Sequence, residues 1–271
     1  MIYAVTIGKA SKCFHTSPVR LMRKSHFMKK IILGAVLISL ASCDKTNKIG
    51  PNVCYLSSEN TYSNSMIYYY NSSNELSSYV TSYIFSSVLT YDGSGKIISE
   101  LDNGNTQISY NYDKNNRLIL WSQVVAGDPS ANLQYKFMYN ASGQDTLKQL
   151  FNYDATSSSY YLSQFQRLTY TAAGTNNYSE RRTYDSASTL LLTEDYLWDN
   201  HPNPYLTNPF FSNEPPPSNN VIQYSYMPAG QPAQVTIYTY TYNSNRFPVT
   251  QMIPANGTTL ASHIYIYTNC K

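Results

Sequence analysis

Charge is scarce in this chain: 13% of its 271 residues are Asp, Glu, Lys or Arg, 16 acidic against 19 basic. Four histidines, four cysteines and two tryptophans leave little material for catalysis or metal binding. No G-x-S-x-G elbow, GxxxxGK[ST] phosphate loop, H-E-x-x-H pair or calcium-loop pattern occurs, which removes the short signatures of those enzyme and binding classes. The longest apolar run is well under 18 residues, so a bundle of membrane-spanning helices is excluded. Eleven glycines and 13 prolines without a fixed period exclude a collagen-like chain. What abounds is tyrosine, 28 residues, within an apolar content of 42% that suffices for a sizeable core. The length fits one large all-β domain or two domains of average size.

The most specific local signal begins at Met28. Met28-Lys29-Lys30 is a positive stretch, Ile31 to Leu40 is apolar but too short to span a bilayer as a helix, and Leu40-Ala41-Ser42-Cys43 follows directly. Small residues just before a cysteine resemble the lipobox of bacterial lipoproteins, which implies cleavage before Cys43 and lipidation of its thiol. Residues 1–27 read as an upstream start-site overcall or an extended n-region, 28–42 as the signal peptide, and 43–53 as a lipidated cysteine with a polar tether. Stable anchoring takes more than one acyl chain.

Setting aside the first 42 residues changes the charge. They hold seven of the 19 basic residues and none of the acids, so the remainder carries 12 basic against 16 acidic groups, a net −4. A nucleic-acid role read from the basic precursor loses its support. Cys54 and Cys270, at the two ends of the remaining domain (54–271), lack zinc-site spacing, and outside the cytoplasm they are expected to pair.

From Tyr91 onward a seven-residue pattern recurs: aromatic, Asp or Asn, two free positions, Gly or Asn, one free position, then often an apolar residue. Tyr91-Asp92-Gly93-Ser94-Gly95-Lys96-Ile97 and Tyr112-Asp113-Lys114-Asn115-Asn116-Arg117-Leu118 are the clearest copies; looser ones start at Tyr139, Tyr170, Tyr184 and Tyr226, and Tyr242-Asn243 looks shortened. Asp or Asn opens a type I turn, and Gly or Asn three residues on takes the left-handed conformation that completes a hairpin bulge. Between these corners apolar and polar residues alternate, as in Thr236-Ile237-Tyr238-Thr239-Tyr240-Thr241-Tyr242, which is a strand signature. The reading is all-β: an antiparallel up-and-down meander of about twelve strands, curled or closed into a barrel-like sheet. A transmembrane barrel is disfavoured, because it needs strands of about 9–11 residues with an apolar outer row, and the outer rows here carry Ser, Thr, Asn and Gln as often as Ile or Val.

The pattern resembles the YD repeats of Rhs-type proteins, and more so the Tyr-rich surface lipoproteins of Bacteroidetes with a porin-like β-meander. The lipobox, the Tyr-Asp turns and the segment Asp199-Asn200-His201-Pro202-Asn203-Pro204-Tyr205 carry that resemblance, which implies architecture rather than activity.

Candidate sites are few. The Pro-rich segment 200–220 holds six of the 13 prolines with Tyr205, Phe210 and Phe211, and reads either as a contact site or as a cover whose rings plug the sheet. His201 lies near Glu194, Asp195 and Asp199, but Glu194 and Asp195 point to opposite faces of a strand, so a metal cluster is not expected and the acids read as a solvated strand end. Tyr238 and Tyr240 join Tyr205, Phe210 and Phe211 as possible binding residues, since tyrosine offers contact area and a hydroxyl at low entropic cost. Any single tyrosine is nevertheless read first as structural. The expectation is a lipid-anchored cell-envelope protein, outer-membrane associated, structural or binding a glycan or protein, without catalysis, cofactor or metal. The alternatives are a carrier of lipid or of an outer-membrane client, favoured by a broad apolar cavity, and a polysaccharide hydrolase, which needs two facing carboxylates.

Overall fold

A computed structural model describes residues 54–61, 64–82, 86–172, 175–206, 216–255 and 258–270. The lipobox residues Leu40, Ala41, Ser42 and Cys43, and also Phe210 and Phe211, lie outside the described residues. The strands are β1 Tyr55–Thr61, β2 Ser65–Tyr70, β3 Leu76–Thr81, β4 Ser86–Tyr91, β5 Ile97–Asp102, β6 Thr106–Tyr112, β7 Leu118–Val125, β8 Leu133–Tyr139 and β9 Asp145–Asp154. They continue with β10 Ser159–Tyr170, β11 Tyr178–Asp185, β12 Leu190–Pro202, β13 Asn219–Pro228, β14 Gln234–Ile237, β15 Thr239–Tyr242, β16 Pro248–Ala255 and β17 Thr258–Thr268.

All belong to one antiparallel up-and-down sheet of 17 strands. Each strand from β1 to β13 pairs with the next, β13 pairs with β14, β15 with β16, β16 with β17, and β17 returns to β1. The sheet is thus nearly closed into a barrel, which removes the exposed edges that invite aggregation. β14 and β15 are halves of one strand broken at Tyr238, whose N–H donates to the Ile222 carbonyl at 2.9 Å. Cys54 and Cys270 form a disulfide beside the β1–β17 ladder, tying the ends of the barrel together.

Seventeen strands replace the expected twelve. The turn pattern also operates before Tyr91, where Tyr70-Asn71-Ser72-Ser73-Asn74-Glu75-Leu76 joins β2 to β3 and was missed, and many strands hold only six to eight residues. The copy at Tyr242 is complete rather than shortened. Asn243 N–H donates to Phe247 O at 2.9 Å, and Arg246, at φ 69°, stands where other copies use Gly or Asn. The same geometry places Asn74, Gly95, Asn116, Gly143 and Ser188 at positive φ.

The corners that open with Asp or Asn are held by that side chain. Asp92 Oδ1 accepts the N–H groups of Ser94 (2.8 Å) and Lys96 (3.0 Å), and Asp113 Oδ1 accepts those of Asn115 (2.8 Å) and Arg117 (3.0 Å). These backbone donors, with Lys96 and Arg117 first among them, hold both carboxyls below the usual 3.8.

Immediately after the turn the register slips by one residue, so that Tyr91 pairs with Ile97 and Tyr112 with Leu118. A bulge of this kind disrupts the ladder. The exposed Ile98 and Ile119 are its extra residues, flanked by buried Ile97 and Glu100, and by Leu118 and Trp121. Tyrosine hydroxyls from the corner two strands on cap the carbonyls at these slips. Tyr70 donates to Leu56 O (2.7 Å), Tyr91 to Leu76 O (2.5 Å), Tyr112 to Ile97 O (2.9 Å), Tyr139 to Leu118 O (2.7 Å) and Tyr267 to Pro248 O (2.7 Å). Tyrosine therefore both packs in the interior and satisfies backbone groups that the bulges release.

Two buried clusters fill the barrel. The larger gathers Leu56, Tyr68, Leu76, Leu89, Ile97, Ile108, Tyr110, Leu118, Trp121, Phe137 and Tyr265; the smaller holds Leu168, Tyr178 and Tyr196. The outer face mixes Ile67, Val88, Leu101, Ile264 and Ile266 with Ser58, Ser78 and Gln107 along the same pairing rows. No described helix is long and apolar enough to cross a membrane.

Candidate functional site

A partly open cavity of about 330 Å³ lies where the two clusters meet. Tyr196, Val221 and Tyr224 line it from the side of the smaller cluster, and Tyr205 and Tyr265 from the larger. Tyr238 sits at the break between β14 and β15 with Tyr240 just beyond it on β15, and Asn203, Pro204, Asn220 and Gln251 complete the wall with Arg181 and Glu194.

The charged pair is tightly built. Arg181 Nε donates to Glu194 Oε2 at 2.6 Å and its Nη2 to Oε1 at 2.9 Å, a bidentate bridge between neighbouring strands β11 and β12. Tyr196 and Tyr224 add hydroxyl donors to Oε1 at 3.0 and 2.8 Å. Burial pushes the Glu194 carboxyl up, but the Arg181 bonds and charge and the two hydroxyls outweigh it, so its pKa falls below the usual 4.5. A carboxyl held ionised in this way is a poor proton donor. It is also the only carboxylate among the described lining residues, whereas the hydrolase alternative requires two facing across a cleft.

Polar groups opposite are also organised. Asp199 accepts Asn220 N–H (3.1 Å), Asn220 Nδ2 (2.9 Å) and the Tyr242 hydroxyl (2.5 Å), and His201 stacks on Tyr242 at 3.8 Å between ring centroids. Asn220 is 2% exposed, and its Oδ1 has no hydrogen-bond partner.

No family model and no curated protein matches the chain. Among solved structures it is similar to a porin-like protein from Bacteroides uniformis ATCC 8492, at 13% identity over 79% of this chain and 96% of that one, with a TM-score of 0.49. A porin-like protein from Bacteroides vulgatus ATCC 8482 gives 11% identity, 79% and 99% coverage, and 0.40. The Photorhabdus luminescens Tc holotoxin pore gives 10% identity, 76% and 13% coverage, and 0.29. At these levels nothing about binding or transport passes to this chain.

The candidate residues chosen from sequence divide cleanly. Tyr205, Tyr238 and Tyr240 come together on the cavity, although Tyr205 also packs against the main cluster and sits edge-on to Tyr265, with ring centroids 6.4 Å apart. Tyr240 is structural as well, donating to Val221 O at 2.8 Å. Glu194 and Asp195 do face opposite ways, since Glu194 is buried and Asp195 exposed. The expectation of a solvated strand end fails for Glu194, to which the partner strand supplies Arg181, and holds for the exposed Asp195.

Other acids are also interior. Glu59 accepts from Tyr68 (3.1 Å) and lies 3.2 Å from His263 Nε2, and Glu100 accepts from Tyr79 (2.8 Å) and Tyr110 (2.6 Å). Asp102, hydrogen-bonded by Ser87, is pushed up to about 7 by burial, with the Ser87 bond opposing and the Glu100 charge adding. Burial, reinforced by the neighbouring carboxylates, raises the Tyr68 and Tyr110 hydroxyls, which keeps them protonated as donors. An acid two residues from a tyrosine, as in Glu194-Asp195-Tyr196, is the signal that could have found Glu194. Arg181 and Asn220 left none, because their roles depend on strand neighbours distant in sequence.

Proposed function

We propose that this protein is a lipid-anchored cell-envelope module that acts by binding rather than catalysis, with the cavity as the seat of that binding and a glycan or a protein segment as its ligand. The observation that carries the binding part is the convergence of Tyr205, Tyr238 and Tyr240 on one cavity whose only charges among the described residues neutralise each other. Aromatic rings beside a few fixed polar groups are the usual make-up of a small-ligand site. The anchor rests on the run from Met28 to Cys43, and placement at the outer membrane on the resemblance to Bacteroidetes lipoproteins. A lipid carrier is less well supported, because buried polar side chains such as Tyr68, Tyr110, Glu59 and Glu100 occupy the described interior where acyl chains would lie.

Metabolic labelling with palmitate tests the anchor in a bacterium expressing the full chain. Label is expected in the membrane fraction and is lost in Cys43→Ser; equal labelling of both chains overturns the assignment. Retention of a glycan on an array, or of an envelope protein in a pull-down, tests the binding part, and no retained partner leaves only a structural role.

A further inference from the structure

The binding reading above leaves the ligand's chemistry open, and the cavity wall narrows it. Resting on that reading, we propose that the cavity takes a neutral sugar ring, a single pyranose unit or the end of an oligosaccharide.

Charge is the first argument. Arg181 and Glu194 are the only ionised side chains among the described lining residues, and they are bound to each other through two hydrogen bonds. Glu194 Oε1 accepts from two tyrosines besides. An anionic ligand would have to displace Glu194 from Arg181, and a cationic one would find the carboxylate already saturated with donors. A neutral ligand pays neither penalty.

Tyr238 supplies the second argument. Its hydroxyl makes no hydrogen bond among the described residues, so it is available to a ligand as donor or acceptor at the cavity wall.

Shape is the third. Rings of Tyr238, Tyr240 and Tyr265 line the cavity beside these polar points. A pyranose presents C–H faces with hydroxyls around its rim, each able both to donate and to accept. The volume of about 330 Å³ is at the lower end of the range for small-molecule sites, about 300–1,000 Å³, and suits one sugar unit better than a folded peptide.

Ligand-observed saturation-transfer NMR on the detergent-solubilised full-length chain tests this. The probes are the methyl glycosides of glucose, galactose, mannose and N-acetylglucosamine, with glucuronate and glucosamine as charged comparisons. At least one neutral glycoside is expected to saturate, and its affinity to fall tenfold or more in Tyr238→Ala and severalfold in Tyr238→Phe. Tyr238→Phe serves as the second variant because it keeps the ring and removes only a hydroxyl that makes no fold-holding hydrogen bond. The proposal is overturned if no neutral glycoside binds, if only the charged sugars do, or if neither variant weakens binding. The envelope-protein pull-down separates the failures: a retained protein without sugar binding sinks this proposal alone, and retention of neither sinks the binding reading with it.

Discussion

Replacing Tyr112 by Phe isolates what a single cap contributes to the barrel. The ring stays and only the hydroxyl that donates to Ile97 O at 2.9 Å is lost. Ile97 is 1% exposed, so water does not readily replace the donor. A net hydrogen bond is worth about 0.5–1.5 kcal/mol, and a buried acceptor left bare costs about 1–3 kcal/mol, which places the loss at about 1–2 kcal/mol. For a domain of this size about 1 kcal/mol shifts Tm by roughly 2–4 °C, so thermal unfolding of Tyr112→Phe should fall by roughly 2–8 °C. Tyr69→Phe is the control, because Tyr69 lies on the outer face at 48% exposure. Its effect should stay within about 0.5 kcal/mol. Equal stability of the two variants would refute the view that these hydroxyls cap the bulges.

Three further outcomes follow from the same geometry. Cys54→Ser with Cys270→Ser opens a bridge spanning 216 residues, and the longer loop in the unfolded chain should cost about 2–5 kcal/mol, read by denaturant titration under oxidising conditions. Asp102, raised to about 7, adds stability that is fully present below 3.8 and is lost as pH rises through about 7. Asp102→Asn should therefore flatten the fall in Tm between pH 4 and pH 8, with a gain at pH 8 of about 1–2 kcal/mol once solvent screening of this half-buried group is allowed for. Ser188→Gly relieves a left-handed residue at φ 69° and should stabilise by about 0.5–1 kcal/mol in the same unfolding assay.

Much of the architecture is written locally. Asp92, Asp113 and the residues three places after them encode corners that need only their own side chains and a left-handed residue, so the meander and its tyrosine faces are legible from spacing. The bulges are harder to see. Strict alternation would group Ile98 with Glu100 and Asp102, but the slip after Ile97 puts Ile97, Glu100 and Asp102 on the inner face and leaves Ile98 outside. Arg246 and Ser188 make their corners look shortened or loose because the turn tolerates a non-glycine residue where the rest of the loop fixes it. The cavity is less legible still. Tyr205, Tyr238 and Tyr240 stand out as tyrosines in unusual segments, whereas Glu194 becomes a buried ion only through Arg181 on β11, and Asn220 becomes an orphaned acceptor only through Asp199 on β12. Pairing across strands, not composition, decides which polar residues turn inward.

The central claim is an anchored, oxidised barrel, and intact-mass spectrometry of the protein recovered from cell membranes tests it most directly. The mass should correspond to residues 43–271 with acyl chains on Cys43, two hydrogens lighter for the Cys54–Cys270 bridge. A mass beginning at Met1 or Met28, without lipid and with both thiols reduced, would contradict the account.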